Sequence, residues 1–130
     1  MNNPFTGKLL AEVSTASSAD AEAAIQSTVD AAVVMKTLPS HARYHALQKI
    51  AGGLYDRRDE FARLMTAESG KPATDAKREV NRAIQTFTIA AEEAKRIPGE
   101  VIPLDWTPGT DSHLGILRRV PIGPVLGITP

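Results

Sequence analysis

Apolar residues recur at helical spacing through most of the chain and give way to short apolar runs near its end. Ile25, Val29, Ala32 and Val33 follow a period of about 3.6 residues, and Ser17, Ser18 and Asp20 precede them with side-chain oxygens suited to a helix start. A first helix is expected over residues 19–36. Pro39 ends it and Ser40 is positioned to cap a second, whose buried stripe is Leu47, Ile50, Ala51 and Leu54. Gly52-Gly53 weakens that helix near its end. A break at Asp56-Arg57-Arg58-Asp59 precedes a third helix carrying Phe61, Leu64 and Met65, and Gly70 with Pro72 stops it. From Thr74 a fourth helix places Val80, Ala83, Ile84, Phe87, Ala91 and Ala94 on one face and ends before Pro98-Gly99.

Three segments read differently. Residues 3–13 are expected to form two short strands about Pro4-Phe5-Thr6-Gly7-Lys8, where Pro and Gly punctuate a turn. Residues 101–104 and 114–120 look like strands flanking a turn-rich connection, which predicts a hairpin. Residues 124–130 form a continuous apolar run, the pattern of a strand buried on both faces of a parallel sheet. Such a strand needs neighbours, so the chain reads as cut short where a doubly wound sheet would begin.

Composition narrows the partners. The 130 residues hold 15 Lys and Arg against 15 Asp and Glu, a net charge of zero that offers no global field for nucleic acid or an anionic membrane. No cysteine is present, which removes disulfides, thiolate metal ligands and a thiol nucleophile together and fits a cytoplasmic location. The opening Met1-Asn2-Asn3-Pro4 has neither a basic nor an apolar leader region, and no stretch reaches the roughly 18 apolar residues of a membrane span.

Several short motifs stand in a telling order: Asn3-Pro4-x-Thr6-Gly7, Leu38-Pro39 with Arg43, Glu68-Ser69-Gly70-Lys71-Pro72, and Glu79-Val80. Gly99-Glu100-x-Ile102-Pro103 follows, and then Arg119-x-Pro121-Ile122-Gly123-Pro124-Val125-Leu126-Gly127-Ile128-Thr129-Pro130. Each has an ordinary backbone explanation taken singly. Collinear, they resemble the aldehyde dehydrogenase superfamily over essentially the whole chain, and the run from Met35 to His41 is similar to its lactaldehyde and phosphonoacetaldehyde dehydrogenase branches.

The resemblance implies the N-terminal part of an α/β, Rossmann-type enzyme that is mostly helical here. Residues 1–98 would form an N-terminal hairpin and the helical part of the cofactor domain, residues 99–123 the β-hairpin of an oligomerisation element, and residues 124–130 the first strand of the dinucleotide-binding sheet. It further implies NAD or NADP as cofactor, an aldehyde as substrate, and a homodimer or homotetramer. Ile128, Thr129 and Pro130 are the implied cofactor-binding residues. The family's cysteine nucleophile, general-base glutamate and glycine-rich turn have no counterpart in this sequence, so no catalytic residue is expected and the chain by itself should be inactive. A non-catalytic helical binding or assembly module is the alternative.

Other conspicuous residues carry plainer readings. His41 and His45 are four apart, but no further ligand stands at complementary spacing, so no metal site is expected. Lys71, between Gly70 and Pro72, is explained by helix termination rather than by a phosphate. Glu68 and Glu79 fall on different helices and read as solvated faces or salt links. Arg118-Arg119 reads as an edge-strand guard or subunit contact, and Trp106 as part of a contact surface.

Overall fold

The computed structural model describes residues 1–129 as four helices followed by a two-stranded antiparallel ribbon. Helix α1 spans Ser18–Thr37 and opens with a complete capping box: the Ser17 hydroxyl accepts from the Asp20 N–H, and the Asp20 carboxylate accepts from the Ser17 N–H. Helix α2 spans Ser40–Asp56 and follows after only Leu38 and Pro39. Ser40 does not cap it, contrary to the sequence expectation. Pro39 takes the cap position and Ser40 is the first helical residue, because the extended backbone forced on the chain near proline already sets the entry.

The expected turn at residues 56–59 contracts to a single non-helical residue, Arg57, before α3 at Arg58–Ser69. Gly70 ends α3 with a left-handed backbone, φ 73°, as a glycine does at little cost. Helix α4, Ala73–Ala94, is the longest element at 22 residues.

The core lies among α2, α3 and α4. Ala62 of α3 packs with Ala76 and Val80 of α4, and Phe61, Met65 and Ile84 close around them. Ala51 of α2 and Ala91 of α4 are also buried. Four of these five buried side chains are single methyl groups, so the helices approach closely and the core is thin. At the far end the Lys95 ammonium, capping α4, sits 3.8 Å from the centre of the Tyr44 ring on α2.

Strands β1, Glu100–Pro103, and β2, Leu114–Leu117, pair in the register Glu100↔Leu117 to Pro103↔Leu114. The expected second strand ran to residue 120, but the ladder ends at Leu117 because β1 offers no partner beyond Glu100. At the N-terminus the two expected strands reduce to one bridge, Asn2↔Leu9. The turn between them is held by the Asn3 side chain, whose oxygen accepts from the Phe5 and Thr6 N–H groups at 2.9 Å each. A lone pair of strands is marginal in water, which accounts for the reduction.

Residues 118–129 make no strand and are exposed throughout. The described part of the apolar run expected as a buried strand, residues 124–129, is unpaired here, since among the described residues no parallel neighbour lies beside it. Helix α1 is similar in this respect. It buries no residue and packs against no other helix or strand among those described. The chain consequently exposes 10740 Å², against about 6,700 Å² for a self-contained globular monomer of its 13.9 kDa mass.

Candidate functional site

The implied cofactor residues stand at the end of the tail. Ile128 is 90% exposed and Thr129 is exposed beside it, while Pro130 lies outside the described residues. Among the described residues, none of residues 124–129 forms a backbone hydrogen bond, and all of them are exposed. The other candidates lie elsewhere, on the helices.

Lys71 and Glu79 form an ion pair across the α3–α4 joint. The pair accounts for both residues, joining Lys71 at the end of α3 to a salt link with Glu79 on α4. Lys71 follows the left-handed Gly70, and Glu79 lies nearly two turns into α4, so the pair locks the two helices at their shared corner. The hydrogen bond from Lys71, reinforced by its charge, holds the Glu79 carboxyl below its ordinary pKa. The N-terminal turn packs on the same corner: a Cβ placed on Gly70 would meet the Pro4 ring at 3.4 Å. Between this turn and α3 opens a cleft of about 710 Å³ lined by Asn3, Phe5, Thr6, Asp59, Arg63 and Thr66 among others.

His41 and His45 stack edge to face with ring centres 6.4 Å apart. Among the described residues no group of three or more His, Cys, Asp or Glu is placed to hold a metal ion. Trp106 projects from the β1–β2 connection, 74% exposed. Arg118 and Arg119 lie past the end of β2 rather than within a strand, so they guard no strand edge. They instead line a second cleft, about 770 Å³, together with Lys36 and Arg43. Sequence reasoning missed this grouping, because its members are spread from Lys36 to Arg119 and only the fold joins them.

The Aldehyde dehydrogenase family model matches residues 1–130, and the chain belongs to that family. It is similar to 3-sulfolactaldehyde dehydrogenase of Priestia aryabhattai, 39% identical over 98% of this chain and 26% of the relative. The probable succinate-semialdehyde dehydrogenase [NADP(+)] of Sinorhizobium fredii is 41% identical over 98% of this chain and 25% of its own length. Among solved structures, aldehyde dehydrogenase 21 of Physcomitrella patens, in complex with the reaction product succinate, superposes with a TM-score of 0.85 at 41% identity, covering 88% of this chain and 24% of that one. The chain thus spans about a quarter of the length of the relatives it matches.

No helix of the described residues is long and apolar enough to cross a membrane.

Proposed function

We propose that this protein acts as the amino-terminal portion of an NAD(P)-dependent aldehyde dehydrogenase that converts an aldehyde to a carboxylic acid. The observation that carries this reading is the family match along the whole chain, at 39% to 41% identity to enzymes about four times its length. In the reaction a cysteine thiolate adds to the aldehyde carbon, a hydride leaves that carbon, and water hydrolyses the resulting thioester to free the acid and regenerate the thiol. The nicotinamide cofactor, when bound, supplies the hydride acceptor. The thiolate must come from outside these residues, since they include no cysteine.

The role of this chain is then structural and positional. Helices α2, α3 and α4 form a rigid block whose corner is fixed by Gly70, Lys71 and Glu79. Residues 124–130 form the first strand of the nucleotide-binding sheet, and Ile128, Thr129 and Pro130 contact the cofactor at its carboxyl end, where ligands of open α/β sheets sit. Residues 1–98 belong with that cofactor domain and residues 99–123 with a subunit-contact element. Strands β1 and β2 expose Val101, Leu114 and Ile116 and have free outer edges, which suits association into a homodimer or homotetramer. The cytoplasm is the compartment that a cysteine-free chain of this kind fits. The substrate class follows from the relatives: sulfolactaldehyde and succinate semialdehyde each carry an anionic group beside the aldehyde, so a short anionic aldehyde is the substrate proposed here.

The test is a chimera in which this chain replaces the matching segment of the Priestia enzyme. Reduced nicotinamide should appear on addition of sulfolactaldehyde or succinate semialdehyde, whereas the 130-residue chain alone should yield none. A soluble chimera with an intact catalytic thiol and no turnover on any aldehyde would refute the reading, as would cofactor-dependent oxidation by the chain alone.

A further inference from the structure

The second cleft has a charge pattern unlike the rest of the surface. It is bounded by Thr28, Ala31, Ala32 and Met35 on α1, by Arg43 on α2, and by Arg118, Arg119, Val120, Pro121, Gly123 and Pro124. Four of the chain's fifteen Lys and Arg residues line it, and none of its fifteen Asp and Glu does. In a chain of zero net charge that imbalance is local and uncompensated. The cleft beside the N-terminal turn differs, for there Asp59 accompanies Arg63 and Lys77.

None of the four cations takes part in an ion pair among the described residues, while Arg57, Lys71, Arg78, Arg82, Lys95 and Arg96 all do. Arg43 is the anchor. One terminal nitrogen, Nη1, donates to the Leu38 carbonyl at the α1 cap, which fixes the guanidinium plane. Its Nε is buried and has no partner among the described residues. An unpaired guanidinium donor is unfavourable, and the planar fork of a guanidinium matches the geometry of an oxyanion. The remaining wall, formed by Ala31, Ala32, Met35, Ile97, Val120 and Pro121, is apolar or small. The volume, about 770 Å³, falls within the roughly 300–1,000 Å³ of small-molecule pockets.

The geometry points to a binding site for a multiply charged small-molecule oxyanion with a compact carbon skeleton, held by Lys36, Arg43, Arg118 and Arg119. Ile128 and Thr129 do not line this site, although Pro124 at the start of the same segment does, and the site does not depend on the proposed oxidation.

The experiment is titration of the 130-residue chain with inorganic pyrophosphate and, separately, citrate, at constant ionic strength, read by calorimetry and by the Nε–Hε resonance of Arg43. Saturable binding by at least one anion with a shift of that resonance is expected. Binding of pyrophosphate alone assigns a phosphate ligand, and binding of citrate alone a polycarboxylate. The double variant Arg118→Gln, Arg119→Gln, altered only in exposed unpaired chain, should weaken binding about tenfold or more through loss of two charge-assisted contacts. Arg43→Lys should weaken it while keeping the charge, and the control Lys49→Gln, Arg63→Gln, outside the cleft, should leave it unchanged. Absence of saturable binding by both anions overturns the proposal, and so does binding that the control weakens as much as the Arg118, Arg119 variant.

Discussion

Helices α1 and α4 begin from comparable sequence patterns and end in opposite situations. Both are long, at 20 and 22 residues, and both carry aliphatic residues at helical spacing. On α4 that stripe is covered: Ala76 and Ala91 are fully buried and Val80 nearly so, against α2 and α3. On α1 it is bare, with Ile25 and Val33 57% and 71% exposed. What α1 has instead is local: a capping box at its start and the Arg43 contact to Leu38 at its end. Periodicity therefore reports that a face is meant to be buried, not that its cover lies within the same chain. The unpaired tail, with Val120, Ile122, Val125, Leu126 and Ile128 exposed, makes the same point for an apolar run.

The largest effects should separate the two helices. Ala91→Leu on α4 has no room for the added carbons and should cost about 1–3 kcal/mol of stability. Val33→Ala on α1 removes exposed surface and should change it by less than about 0.5 kcal/mol. Urea unfolding monitored by circular dichroism measures both. Equal losses at the two sites would break the comparison, because they would mean that α1 is packed in solution. At the α3–α4 corner, Gly70→Ala forces a side chain into left-handed backbone at φ 73°, and a loss of about 1 kcal/mol is expected in the same assay.

How much of this was legible beforehand differs between the regions for the same physical reason. Helix boundaries are set by neighbouring residues, so the capped start of α1, the proline after it and the glycine stop of α3 were all readable from a few side chains. The reading failed where geometry within that window was subtle, as with Ser40, or where pairing across space decides, as with residues 118–120 and the N-terminal strands. Ala76 was overlooked because an alanine carries little hydrophobic signal, although it stands one turn before Val80 and is fully buried. Among the expected cofactor residues, Ile128 and Thr129 owe that expectation to motif resemblance alone, since no local property of an exposed segment singles them out. The Lys71–Glu79 pair and the four-cation cleft could not be read at all as groupings, because each joins residues that only the packing of helices brings together.

Smaller effects sharpen the contrast. Ser17→Ala removes the hydroxyl that accepts from Asp20 N–H and should weaken α1 by about 1 kcal/mol. Because α1 packs on no other element, the loss should show as lower helicity and faster amide exchange within α1, with the unfolding midpoint of α2, α3 and α4 unchanged. A shifted midpoint would show that the helices are coupled.

The smallest effect concerns the α3–α4 corner and has a defined sign. Glu79 is held below its ordinary pKa of 4.5 by the hydrogen bond from Lys71 and then by that residue's charge. A carboxyl whose pKa is lowered by folding binds more protons in the unfolded chain. Its contribution is therefore complete above the ordinary value and is lost as pH falls through the lowered one. Glu79→Gln should flatten that part of the acid limb of the stability curve, leaving the parts due to Asp20 and Glu60, which are lowered by Ser17 and Arg57 respectively. Both partners of the pair are about one third exposed, with side-chain accessibilities of 35% and 37%, so solvent and salt screen the interaction and the change should be small. Thermal unfolding of the wild type and Glu79→Gln between pH 6 and 3, roughly the span over which carboxyls titrate, provides the measurement. The difference between the two proteins should be greatest near neutral pH, shrink as Glu79 is protonated, and diminish in high salt. A difference that is constant with pH would mean that Glu79 supports the corner by packing rather than by charge.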